Sequence, residues 1–374
     1  MLEVFNNPAF TVWSLTLSLT NRPFVPGLIG SLGLFEPRFL ATTMTLVEVR
    51  GHRLALVPER PRGAPPPPDV QDRRALVPVG IPHFPIRTSI FADEVQNVRA
   101  FGTDNQLEAV QTVVDEREGQ LGQRLDLTQE YLRLGAVKGL IVTEADRETG
   151  APMTVVNLHN MFHVDEQPVI EWPIIGAGGG GEASFWTGQL TGLIMALGRE
   201  MANSISGGLY QRIHGIAGSV AYDAFAMHPE ARAPFLATDN APLTRGMLAP
   251  AGANRLSFRD ITIDEYRGQV GNIRFVEPDE IHFFPVGVPG LFLEIYSPAD
   301  YMETVNTIAL TRYSKMRAMD WDKGVEVESQ MNVLPICTAP RALFTVKVTP
   351  SPLATGAAAA PHAGNAGGRQ RVAA

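Results

Sequence analysis

Gly176, Gly178 and Gly181 fall at the spacing G-x-G-x-x-G, between the apolar segment VIEWPII and an apolar run that starts at Phe185. A strand, a glycine loop and a helix in that order would hold a pyrophosphate on free amides at the helix N-terminus. The run GAGGGG satisfies many glycine patterns at once, however, and Pro173 stands inside the strand that would precede it. No second strand ending in an acid follows at the expected offset. The pattern favours a flexible turn joining two lobes, with a dinucleotide-binding enzyme as the alternative. His159 and His163 have the i, i+4 spacing of a zinc-binding helix, but Asn160 stands where the general base would be. Their surroundings read as a strand end rather than a helix. Asp320 and Asp322 flank Trp321 and could face a divalent cation, yet two carboxylates make a poor oxygen cage. A tight turn with side-chain-to-backbone hydrogen bonds explains them better. Cys337 lies in a strand-like run and reads as a small hydrophobe rather than a nucleophile. No catalytic, cofactor-binding or metal-binding residue is assigned.

The elements that would position such groups are framed by composition. The chain has 374 residues, 45% of them hydrophobic, enough for buried cores in two or three units. Its 31 basic and 39 acidic residues give a net charge of −8, the wrong sign for a dedicated nucleic-acid binder. A weakly acidic surface still suits a wall around DNA. One cysteine excludes an intrachain disulfide framework. No apolar run reaches the length of a membrane span, and MLEVFNNPAF has no basic segment ahead of an apolar core.

Residues 1–44 are apolar and broken by Pro8, Pro23, Pro26 and Pro37, with a loose alternation over Thr11 to Thr20 that fits a strand. Such an arm packs on its own domain or on a neighbouring subunit. Residues 45–90 read as two extended segments around the Pro-rich, charged stretch 58–74. A lone hairpin is marginal in water, so this one needs a partner surface; a linker between domains is the competing reading. Residues 103–134 carry the best helix pattern. Thr103 and Gln106 fit a capping box. Leu107, Val110, Val114, Leu121, Leu125 and Leu132 share one face, and Gly135 and Gly139 act as stops. Its length would be on the order of 45 Å. Strands are expected at Val137–Thr143, Met153–Leu158 and several places within 258–297, and helices over 185–205 and after 216. From Gly356 the chain becomes an Ala/Gly-rich tail that predicts disorder.

The segment from Tyr313 to Val348 is the most informative. Val325 and Val327 alternate with Glu326 and Glu328 after the turn Asp322-Lys323-Gly324, as in a half-buried strand. Pro335 and Pro340 then bracket a short extended piece. The segment resembles the C-terminal signature of the lambda-like major capsid protein E family of tailed phages. The matching positions are Tyr313, Lys315, Arg317, Asp320, Lys323, Gly324, Gln330, Leu334, Pro335 and Pro340. Val137-Lys138-Gly139 is similar to the end of that family's spine helix. The resemblance implies an α+β, Hong Kong 97-type capsid fold. Its parts would be an N-terminal arm (1–44), an extended β-hairpin E-loop (45–90), and a spine helix with the first part of a β-rich P-domain (91–175). A mixed α/β A-domain (176–300), P-domain return strands (301–350) and the disordered tail (351–374) would complete it. It further implies a non-enzymatic major capsid protein of the virion, assembled in the host cytoplasm without a cofactor. Its partners would be itself, as hexamers and pentamers, with a decoration or cement protein, a scaffold and a portal as candidates. It would enclose double-stranded DNA without reading its sequence. A non-shell phage structural protein is a further alternative.

Overall fold

The computed structural model describes residues 27–49, 75–95, 106–143, 155–175, 189–205, 210–231, 255–270 and 273–350. The expected strand at Thr11–Thr20, the stretch 58–74, the cap at Thr103, the loop Gly176–Gly181 and the Ala/Gly tail lie outside the described residues. The chain folds as two compact units with interleaved segments. One takes Met1–Gln167, Met201–Arg212 and Phe284–Leu343; the other takes Pro168–Glu200, Ile213–Phe283 and Phe344–Ala374.

The first unit is a helix laid on a sheet. The helix runs Gln106–Lys138, about 50 Å at 1.5 Å per residue. It passes through Gly135, so that glycine is not the stop the sequence suggests. Gly139 is the stop: its φ of +82° is a left-handed conformation that glycine enters without steric cost. Lys138 is consequently helical, and the following strand is only Leu140–Val142, paired with Val155–Asn157. The helix buries Val114, Leu121, Leu125 and Leu132 along one stripe. Val114 and Leu121 meet Ile90, Val325 and Val327 of the sheet in one apolar cluster.

That sheet is organised by the 14-residue strand Gly324–Cys337. Its first part pairs antiparallel with both His83–Phe91 and Tyr313–Ala318. Its last part pairs with Phe292–Tyr296, which in turn pairs parallel with Glu36–Phe39. Pro335 lies within this strand instead of ending it. The bonds Ser297 N to Asn332 O and Thr338 N to Leu291 O set the ladder parity. Pro335, opposite Glu294, therefore falls on a non-bonded pair, where its missing N–H costs that ladder nothing. A separate antiparallel ribbon joins Met44–Val49 to Ala75–Gly80, with Met44 opposite Gly80 and Val49 opposite Ala75.

The second unit is a six-stranded sheet. Its order is Ile170–Ile175, Phe344–Pro350, Glu280–Val286, Arg212–Ala217, Ile261–Glu265, Arg255–Phe258. Trp172 and Phe283 stack at a tilt across it, 5.5 Å between ring centres. The helix Ser219–Met227 places Phe225 edge-on against Phe258. The apolar helix expected over 185–205 is Gln189–Ser204. Glu230 accepts hydrogen bonds from the amides of Leu190 and Thr191 at its first turn. No helix among the described residues is long and apolar enough to cross a membrane.

Candidate assembly surface

The ten signature residues are brought together on one hairpin, Tyr313–Ala318 with Gly324–Cys337, and on the turn after it. Half of them are buried props. The Tyr313 hydroxyl accepts from the Leu310 amide at 2.8 Å, and Gln330 Oε1 accepts from the Asp300 amide at 3.1 Å. Burial pushes the Tyr313 hydroxyl above the ordinary tyrosine range. Leu334 and Pro335 face Ile295 and Glu294 in register, and Pro340 opens a buried 3₁₀ turn. Gly324 is needed for close approach: a Cβ there would lie 2.2 Å from the Ile90 carbonyl oxygen of the neighbouring strand.

Two of the four charged members, Lys315 and Arg317, stand opposite glutamates across the hairpin, while Asp320 and Lys323 lie in its turn. Arg317 stands opposite Glu326 and donates to it at 2.7 Å, with Arg87 of the other neighbouring strand 3.6 Å from the same carboxylate. Lys315 stands opposite Glu328, donates to Glu303 at 2.8 Å and lies over the Tyr301 ring. The Tyr301 hydroxyl donates to Glu328 at 3.2 Å. Such solvent-screened pairs bias strand register rather than hold the fold.

The turn at Asp320–Asp322 carries no cage. Trp321 and Asp322 both have positive φ, 61° and 54°, and the turn is closed by Met319 N to Gly324 O and Asp322 N to Met319 O. No group of three or more His, Cys, Asp and Glu that could hold a metal occurs among the described residues. His159 lies in the one-turn helix Leu158–Met161, so the strand end expected around it is confined to Val155–Asn157. The Asn157 side chain accepts from the His159 and Asn160 amides and starts that helix. His163 lies beyond the helix end with φ 51°, so the two histidines do not share a helical face. The Cys337 thiol is fully buried, and burial pushes it up to about 12, where no thiolate nucleophile exists near neutral pH.

Two features escaped the sequence reading. The buried stripe of the long helix is partly polar, with Glu118, Gln129 and Glu130 buried beside the leucines. Glu294 accepts from Arg133 through both carboxylate oxygens, at 2.9 and 2.8 Å, and from Gln129 at 2.9 Å and the Tyr296 hydroxyl at 2.9 Å. Burial, then the Glu294 charge, raises the Tyr296 hydroxyl and keeps it a donor. Arg312 reaches Asp126 and Gln129 on the same helix. The second feature is an outward apolar set on the first unit, formed by Met44, Leu46, Met302, Val305, Ile308 and Trp321.

The signature residues thus converge on structural contacts: buried props, an ion pair across the strands and a tight turn, with large apolar side chains exposed on the same unit. The family model described as phage major capsid protein E matches residues 11–348. The chain belongs to the phage major capsid protein E family. It is a virion capsid subunit, a structural protein that forms the shell of a tailed phage and not an enzyme. The major capsid protein of Salmonella phage Felix O1 (isolate Felix O1-VT1) is 25% identical over 376 residues, covering 93% of this chain and 98% of that one. The crystal structure of a putative capsid protein of a prophage from E. coli CFT073 superposes with a TM-score of 0.55 at 15% identity, over 91% of this chain and 99% of that one. The capsid protein thus has an α+β, Hong Kong 97-like fold.

Proposed function

We propose that this capsid protein assembles as hexamers and pentamers of a closed icosahedral head around double-stranded DNA. In this reading residues 1–44 are the N-terminal arm and residues 45–90 the extended loop that reaches over a neighbour. The long helix and its sheet act as the spine and peripheral platform, and the lobe around 176–300 faces the capsomer axis. The ten signature residues hold the platform hairpin in register. A net charge of −8 suits a wall that contains DNA without gripping it. Decoration, scaffold and portal proteins are the further partners this reading admits.

The observation that carries the proposal is the ribbon Met44–Val49/Ala75–Gly80. Met44 and Leu46, two residues apart on one face, are 59% and 63% exposed. An isolated two-stranded ribbon is marginally stable, so an apolar face of this kind calls for cover from another copy. The test is to delete residues 59–74, and separately to make Leu46→Glu, and to count closed particles by electron microscopy. Both changes should lower particle yield or particle melting temperature. Wild-type yield and stability in both would remove the loop from the assembly mechanism.

A further inference from the structure

Ile29 and Gly30 donate their amides to the two oxygens of one carboxylate, Glu130 of the long helix, at 2.7 and 3.1 Å. Glu130 is buried, and so is Ile29. Gly27, which leads into this turn, passes so close that a Cβ there would overlap the Glu130 carboxylate. Three residues further along the helix, on the same side, Arg133 lies over the Phe35 ring, 5.9 Å from its centre. One turn of the long helix thus grips residues 27–35 twice.

Little else holds this stretch. Leu28–Ser31 is a single turn, far short of the length at which a helix sustains itself in water. Glu36–Phe39 is a four-residue strand lying parallel to Phe292–Tyr296, with Pro37, Arg38 and Phe39 exposed. The remaining ties are the Phe35 and Phe39 rings against Phe292 and Tyr296, and the Gly290 amide on Glu36. Ile29 is the one buried side chain from Gly27 to Leu40. The helix and sheet beneath have a core of their own, Val114 and Leu121 with Ile90, Val325 and Val327. A stretch with so few buried side chains opens locally, at a lower free energy than such a core. Leu40 ends it firmly: its amide donates to Tyr296 O at 3.0 Å and its carbonyl accepts from the Ala309 amide at 2.9 Å.

We propose that Glu130 is a latch: its carboxylate fixes the point at which the N-terminal arm leaves the subunit, and residues 27–39 open as a strap without unfolding the helix and sheet beneath. The role given to the arm rests on the shell reading above; the latch itself does not. A buried carboxylate that accepts two amides makes charge-assisted bonds, and its loss leaves both amides without an acceptor. The 26 residues before Gly27 reach at most about 90 Å when extended. With the latch shut, that reach starts at Gly27. With residues 27–39 open it starts at Leu40 and is longer by roughly 45 Å. Copies in hexamers and pentamers meet their neighbours at different distances, and an arm with two possible roots lets one sequence serve both.

The test is amide hydrogen exchange, read by mass spectrometry on the unassembled full chain. In the wild type, exchange over residues 28–39 should be insensitive to urea below the unfolding transition, while exchange over 324–337 rises with it. Equal urea dependence in both stretches would place the strap in the cooperative core and overturn the latch. Glu130→Gln puts an NH2 group where one of the two amides needs an acceptor. Gly27→Ala displaces the carboxylate without removing its charge. Each should speed exchange over residues 28–33 several-fold and leave 324–337 at wild-type rates. Wild-type exchange over 28–33 in either variant, or a rise shared equally with 324–337, would overturn the proposal. The exit point is read on closed particles counted by electron microscopy, which should be several-fold fewer for both variants than for the wild type. A wild-type count with an open strap would overturn the positioning of the arm. If the wild type forms no shells under any condition, the shell reading fails, and the exchange result still decides the latch.

Discussion

Gly324 shows how one missing methyl can decide a strand junction. Its hydrogen faces the Ile90 carbonyl oxygen, and a Cβ there would lie 2.2 Å away, inside any real contact distance. The obstacle is backbone, so it cannot rotate aside. Gly324→Ala should lower the stability of the unassembled subunit by about 1–3 kcal/mol, read from urea unfolding midpoints. Gly80→Ala, with nothing within 4 Å of the added carbon, should stay within about 0.5 kcal/mol of wild type. Similar losses in both would mean that steric contact is not the reason for Gly324. Asp264 is the second decisive residue. It is fully buried between strands; Arg255 donates to both its oxygens at 2.6 Å, and His214 Nε2 lies 3.2 Å away. Burial alone would raise this carboxyl, but the hydrogen bonds from Arg255 and His214 outweigh it and hold it below the usual range. The unfolded chain then binds the proton more readily. The stabilisation is complete above the unfolded value of about 3.9 and disappears as pH falls through the lower folded value. Asp264→Asn should cost about 3–5 kcal/mol at pH 7 and flatten the acid limb of the stability–pH curve. An unchanged acid limb in the variant would assign acid sensitivity to other carboxylates.

The long helix carries the first unit because its inward stripe is both apolar and polar. Glu294 gathers Arg133, Gln129 and Tyr296 from helix and sheet, with Arg133 and Glu294 both largely buried. Removing one partner leaves a buried charge unmatched, so Glu294→Gln should destabilise the subunit by about 3–5 kcal/mol. The double change Arg133→Met/Glu294→Gln should recover part of that loss, because the uncompensated charge is gone. Strict additivity in a double-mutant cycle would show that the two side chains do not act as a pair. This network explains what was legible in the sequence. Val114, Leu121, Leu125 and Leu132 announce the helix by their spacing, because apolar burial is periodic and local. Glu118 and Gln129 lie on the same stripe, but composition reads them as solvent-facing. Their partners include the sheet residues Ser314 and Glu294, more than 150 positions away, which no local pattern announces. The hairpin signature was readable for a similar reason: its alternation and turn are local. The pairing of Gly324–Cys337 with His83–Phe91 is not local, and Pro335 suggests a strand end until its ladder parity is known. The outward Trp321 was named only as part of a turn, since exposure is a property of the folded surface.

The whole molecule is acidic, and a shell multiplies that fact. Each copy brings 31 basic against 39 acidic residues, a net −8, and assembly packs many copies at contact distance. Exposed ion pairs such as Arg317–Glu326 and Lys315–Glu303 are already matched within the chain. They cannot also neutralise a neighbour without giving up those partners. If copies meet as proposed, this net charge opposes assembly, while the outward Met44 and Leu46 of the ribbon would supply attraction that salt does not screen. Screening acts over about 30 Å at 0.01 M salt and about 8 Å at 0.15 M, so salt removes the opposing term first. Closed-particle yield at fixed subunit concentration should rise from about 0.01 M to about 0.15 M salt, followed by light scattering. Particles should also persist when salt is raised further, because apolar contacts strengthen rather than weaken with excluded salts. Dissociation of shells by moderate salt would reverse this balance: it would mean that ion pairs between copies, formed by charges now engaged within each subunit, hold the shell, and that assembly rearranges the hairpin surface.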